Sequence, residues 1–177
     1  LAAEDDSPLA NLRLRSVRAL SRNASAPVQV RSAAANFTGV MRDLLYDAVE
    51  RMVTMQAPEP GVQFDNGEAR LWAPAVRVQH DAAGNLTYVE ALQKGRLDVD
   101  RPAPGGGAPQ RLQALWSQRL TMQPDQPRDL MIVTLDGDAR VILPDEVGIL
   151  CDRLTLDVDA QRFQSQSGGG LLGDGAA

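Results

Sequence analysis

The residues with chemistry of their own are few: one histidine, His80, one cysteine, Cys151, and the pairs Asp98/Asp100, Asp136/Asp138 and Asp157/Asp159. A histidine beside a nucleophile is the frame of covalent hydrolysis. His80 has no nucleophile elbow around it and reads as an exposed loop histidine between a strand and the Gly84-Asn85 turn. Clustered carboxylates suit calcium, a hard cation, but neither EF-hand spacing nor a nonapeptide repeat accompanies these pairs. Each pair falls on one face of a strand, where a solvated outer surface is the plainer reading. A lone cysteine precludes an internal disulfide, and with a lone histidine it leaves few metal constellations. Cys151 reads as a small buried apolar residue. No catalytic residue, metal or cofactor is expected, and the chain reads as a non-enzyme. The surviving enzymatic reading, a carbohydrate-active jelly roll, needs two acids facing one cleft about 5 to 9.5 Å apart. No such pair can be singled out.

The elements that would position these residues are constrained by composition. At 177 residues the chain suits one domain, with a core built mainly of Leu, Val, Ala and Met because it holds only two Trp, two Tyr and three Phe. Net charge is −5, and the arginines are scattered, with Lys94 the sole lysine. A phosphate backbone would find no basic patch and few rings to stack on, so nucleic acid is not an expected partner. The longest apolar runs are a few residues, against about 20 for a membrane-spanning helix. The start at Leu1 has no signal-type pattern, and the end "SQSGGGLLGDGAA" reads as linker, so the chain is expected to be a piece of something longer.

Alternation then dictates strands. Val76 and Val78, Leu97 and Val99, Leu120 and Met122, Ala139 and Val141, and Leu154, Leu156 and Val158 fall two apart with mostly polar neighbours between. Turn chemistry punctuates them at Asn66-Gly67, Gly84-Asn85, Pro124 to Pro127 and Pro144. Three segments align by eye: "LWAPAVRVQHD" from Leu71, "LWSQRLTMQPD" from Leu115 and "LCDRLTLDVDA" from Leu150. That places Trp72, Trp116 and Cys151 at equivalent positions. Their unequal spacing is absorbed by turns such as "RPAPGGGAP", since loop length costs little while a shifted strand loses its buried face. In "VMRDLLYDAVERMVTM" a helix through Val40, Leu44, Ala48 and Met52 competes with a hairpin of "LLY" and "MVTM". The hairpin is favoured because all that follows is strand and turn. "NLRLRSVRAL" carries the same ambiguity, and residues 9–36 are the least determined.

The fold expected is therefore all-β: stacked antiparallel hairpins in a single domain over residues 9–164, with residues 1–8 and 165–177 as disordered or linker segments. Such a stack has one apolar face, which either lines an open trough or fills a core. Its lining is Trp72, Val76, Val78, Leu97, Val99, Trp116, Leu120, Met122, Leu135, Val141, Leu154 and Leu156. An acyl chain suits such a trough, at about 0.8 kcal/mol per buried methylene.

The phrases "LDGDARVIL", "GILCDRLTLDVD" and "LWSQRLTMQPD" resemble the OstA-like repeats of the lipopolysaccharide-transport family, which includes LptA and LptC. That family's unit runs glycine, apolar strand, turn, return strand. Gly137, Ala139 and Val141 match its first half, and Leu150, Asp152, Leu154 and Leu156 its second. "LLYDAVERMVTM" resembles another of its strand pairs, and the likeness spans roughly Phe37 to Asp159. The resemblance implies a twisted β-taco or β-jelly roll and a periplasmic or cell-envelope location. It also implies lipopolysaccharide or another amphipathic lipid as cargo, and other OstA-like domains as partners through strand-edge pairing. The Pro- and Gly-rich insertions and the bulky Trp72 and Trp116 depart from the family's pattern of an open groove. The alternative reading is a structural or protein-interaction repeat module without lipid.

Overall fold

The structure, a computed structural model, describes residues 15–23, 26–32, 37–65, 67, 69–83, 85–101, 110–142 and 148–159. The expected terminal linkers, the segment 102–109 and the Pro144 turn lie outside them. Among the described residues fourteen strands form one antiparallel sheet: β1 (Ser16–Leu20), β2 (Val28–Ser32), β3 (Phe37–Met41), β4 (Asp43–Asp47), β5 (Met52–Gln56), β6 (Val62–Asp65) and β7 (Ala69–Ala73), followed by β8 (Ala75–His80), β9 (Leu86–Leu92), β10 (Gly95–Arg101), β11 (Gln110–Trp116), β12 (Arg119–Asp125), β13 (Leu130–Ile142) and β14 (Gly148–Asp159). The only helix among the described residues is a 3-10 turn at Gln126–Arg128. The all-β expectation holds, and "LLYDAVERMVTM" is the hairpin β4–β5. Pro124 lies within β12, paired with Met131, so the turn falls one step later than its proline suggests.

The chain does not stack its hairpins in sequence order. One wall runs β1-β4-β5-β8-β9-β12 and ends on the first half of β13. The other runs β2-β3-β6-β7-β10-β11 and ends on the second half of β13. Each hairpin is thus followed by a step to the opposite wall, giving a folded, taco-like sheet. The steps are short. Arg42 alone separates β3 from β4, Pro74 alone separates β7 from β8, and Gln93-Lys94 and Ser117-Gln118 serve the later steps. Backbone bonds fasten this spine, with Arg42 N donating to Gln56 O at 2.9 Å and Ala57 N to Pro74 O at 3.0 Å.

β13 makes its own crossing without leaving the strand. Gly137 (φ 78°) and Asp138 (φ 45°) form a bulge that shifts the β13–β14 register. Ser117 N donates to Gly137 O at 2.7 Å, and Gln118 N to Asp136 O at 3.1 Å, so the bulge is clasped by the neighbouring crossing. A β-carbon at Gly137 would press on both Ser117 Oγ and Gln118 Cγ, at 2.6 and 2.5 Å, so glycine is required by space as well as by φ. β14 follows β13 along both walls and closes the C-terminal end of the sheet.

Candidate functional site

The inner faces carry continuous apolar rows. Across the first wall, register partners run Ala19, Leu44, Met55, Val76, Ala91, Leu120, Leu135, Leu154, and beside them Val17, Tyr46, Val53, Val78, Val89, Met122, Val133, Leu156. Across the second run Val30, Gly39, Phe64, Leu71, Leu97, Ala114, Val141, Ile149. No charged side chain stands in these rows. Period-two alternation alone puts them there, because one residue of slip would turn every member outward.

Burial along these rows is graded. In the first-wall row nearest the crossings, Val76, Ala91, Leu120 and Leu135 are at most 1% exposed. The walls meet there, and the space is core. Away from the crossings Val99, Leu112, Leu86 and Val158 are half-buried against that core. At the N-terminal edge the same rows end on exposed Val17, beside exposed Leu20. The apolar interior is thus sealed along the spine and loosens toward the rims and the ends.

Eleven of the twelve residues expected to line this interior belong to it. Val76, Val78, Leu97, Trp116, Leu120, Met122, Leu135 and Val141 are buried in one cluster, with Val99, Leu154 and Leu156 packed against it. Trp72 is the exception. It alternates with buried Leu71 and Ala73, so it faces outward, where the Arg96 guanidinium lies 5.2 Å from its ring centroid. The expected equivalence of Trp72 and Trp116 is therefore wrong by one residue of register, and a one-residue slip inverts the face. Cys151 is half-buried, packed against the core, and its thiol donates to Arg153 O at 3.2 Å.

Trp116 is the largest fully buried side chain, and its indole N–H has no partner among the described residues. It is the register partner of Gly95, where a β-carbon would collide with the ring at Cζ2 and Cε2. Glycine lets the indole lie against the β10 backbone. Sequence reasoning ranked Trp116 with Trp72 and missed Gly95, whose signal was a glycine one strand away from a core tryptophan.

The outer faces are polar and laced with ion pairs. On the first wall Arg77 Nη1 donates to Glu90 Oε2 at 3.2 Å, Arg119 approaches Glu90 and donates through Nη2 to Asp136 Oδ2 at 3.0 Å, and Arg153 Nε donates to Asp136 Oδ1. On the second wall Arg96 forks onto Asp98, which Gln113 also reaches, and Arg111 Nε donates to Asp100 at 2.8 Å. The hydrogen bond from Arg153 and then that from Arg119 hold the Asp136 carboxyl below its ordinary value. Arg96 does the same for Asp98 against the opposing effect of burial.

Asp98, Asp100, Asp136 and Asp157 are each engaged by arginine, and no group of three or more metal-ligating side chains occurs among the described residues. The bulge shifts the register between Asp136 and Ala139, and Asp136 and Asp138 both border the polar side of the sheet beside it. A recess of about 450 Å³ lies here, lined by Gln118, Arg119, Asp136, Gly137, Asp138, Asp152 and Arg153, on the polar side of the sheet. His80 is the last residue of β8 rather than a loop residue. It is half-buried, its ring stacks on Tyr46 at 6.0 Å, and Nδ1 lies 2.8 Å from Asp81 O.

No protein-family model matches the chain, and a search of curated proteins finds no match.

Proposed function

We propose that this chain is an OstA-like domain of the lipopolysaccharide-transport type, a non-enzymatic scaffold that carries acyl chains of an amphipathic lipid between its two walls. The observation that carries the reading is the uncharged apolar lining, continuous over both walls and half-open at the rims and ends. Alternation of hairpins between walls supports it, since that path folds the sheet into two facing walls joined along a spine. Acyl chains need no charged recognition there, because each methylene removed from water contributes about 0.8 kcal/mol. A periplasmic or envelope location belongs to the same proposal. So does assembly with other OstA-like domains through strand edges such as β14, which among the described residues pairs only with β13.

The tight seal at Leu120 and Leu135 favours a second reading, a repeat module whose interior is only its core. Brominated acyl chains separate the two, because bromine quenches a tryptophan it touches. In Trp72→Phe the remaining inner Trp116 is expected to be quenched, while in Trp116→Phe the outer Trp72 is spared. Loss of neither signal at saturating lipid would leave the module reading.

A further inference from the structure

His80 ends β8 at the rim of the first wall, and its ring lies on that of Tyr46 in β4, with centroids 6.0 Å apart and planes 13° from parallel. Tyr46 belongs to the inner row of Val17, Val53 and Val78, so the stacked rings bridge the end of β5, which lies between their two strands. His80 Nδ1 stands 2.8 Å from Asp81 O. A carbonyl only accepts, so Nδ1 carries the proton and Nε2 is a bare acceptor. Nε2 is shut off from water and has no partner among the described residues. The neutral ring bears this at modest cost. The imidazolium does not, because its second N–H and its charge would be buried without an acceptor.

The elements packed around the ring have little to offer a charge. On the inner face β4 brings Tyr46, while β5 and β9 bring Val53 and Leu86. Arg77, Tyr88 and Glu90 of β8 and β9 belong to the outer face. In the turn 48–51 the side chains of Glu50 and Arg51 are exposed, and the two residues meet β8 through their carbonyls: Arg51 O accepts from His80 N at 3.1 Å and Glu50 O from Gln79 Nε2 at 3.3 Å. Asp47 Oδ1 accepts from Val49 N and Glu50 N, and the Asp81 carboxylate takes Asn85 N and Nδ2 at 2.9 Å each. A cation gains from a tyrosine face, but less than a buried charged donor loses without an acceptor. The outlet for the charge is rotation of the ring into water, which breaks the stack.

We propose that His80 is a pH-operated latch: neutral, it closes the rim of the first wall by stacking on Tyr46, and protonated, it swings out and lets the end of the β4–β5 hairpin part from β8. Histidine ordinarily changes charge between about pH 5 and pH 8, above the carboxyl range, so the latch acts before the arginine-paired aspartates lose their charge. Opening is confined to the rim, and it costs the whole fold no more than the latch itself contributes. It bares the half-buried end of the apolar rows at Leu86, near Val17, which is already exposed.

The test uses the full chain without lipid, labelled with 15N at histidine and 13C at tyrosine, taken from about pH 7.5 to about pH 5, with amide hydrogen exchange followed at each pH. At neutral pH the His80 signals are expected to be those of the Nδ1–H tautomer. On acidification three changes are expected at one midpoint: protonation of His80, release of the Tyr46 ring signals, and exchange of the His80 amide about tenfold faster than its intrinsic pH trend, while the Leu120 and Leu135 amides stay protected. His80→Phe keeps a ring on Tyr46 with no charge to gain, and its rim is expected to stay closed at both ends of the range. His80→Gln lacks both ring and charge, and its rim is expected to be open to the same degree at both ends. An imidazole that stays neutral down to about pH 5, one that is protonated with the Tyr46 stack intact, or acid opening that persists in His80→Phe or His80→Gln would overturn the latch. Each of these results leaves the lipid-carrying reading untouched.

Discussion

Gly95 and Trp116 are register partners on β10 and β11, and a β-carbon on Gly95 would overlap the indole at Cζ2. The largest buried side chain of the core is therefore seated by the absence of a side chain on the adjacent strand. Gly95→Ala is expected to destabilise the protein by about 3 kcal/mol in urea denaturation, as overpacking of a filled core does. Adding Trp116→Leu should recover part of that loss, whereas a purely backbone effect at Gly95 would not be recovered.

Leu120 and Leu135 face each other across β12 and β13, and neither is accessible to solvent. Each changed to Ala is expected to cost about 2 to 5 kcal/mol. The double variant should cost less than the sum, because the two side chains share one space. Thermal and urea unfolding of the three variants measure the coupling.

Asp98 and Asp136 are held below their ordinary carboxyl value by arginine partners, as are Asp43 and Asp100 on the outer face. A depressed native pKa stabilises the fold above the unfolded value, and the contribution is lost as pH falls through the native one. Stability is therefore expected to hold from neutral pH down to about 4, the ordinary carboxyl range, and to fall below it. Asp136→Asn should flatten that acid limb of a stability-versus-pH curve. An unchanged limb would show that the carboxylate is not set by Arg153 and Arg119.

Among the described residues β14, twelve residues long, has one edge unpaired, with Ile149 and Leu150 exposed on the strand. Edge strands of this kind are templates for strand addition, and lysine blunts them. Leu150→Lys with Thr155→Lys is expected to lower concentration-dependent self-association in analytical ultracentrifugation. Equal sedimentation of variant and parent would remove β14 from the assembly surface.

Most of the fold was legible because the interior depends on period-two alternation, which the strands between Val76 and Val158 display apart from the bulge at Gly137 and Asp138. The β4–β5 hairpin was legible only by its surroundings, since Leu44 and Met52 satisfy helical and strand spacing alike. The two-wall path was not legible. Wall steps of one or two residues at Arg42, Pro74 and Gln93-Lys94 look the same in sequence as turns within a wall. Trp72 failed for a related reason: aligning "LW" with "LW" matched letters across a register step, and its partner Arg96 marked it as an outer residue only once pairing was known. His80 was read as a loop residue because its stacking partner, Tyr46, lies on a strand far away in sequence.

The central claim, that acyl chains lie between the walls, is tested most directly by a lipid carrying a diazirine within its acyl chain, photolysed with the protein and mapped by peptide mass spectrometry. The account predicts labels on inner residues of both walls where the interior is half-open, such as Val99, Leu112, Leu154 and Leu156. Labels confined to the outer face around Trp72 and Arg77, or none at saturating lipid, would contradict it.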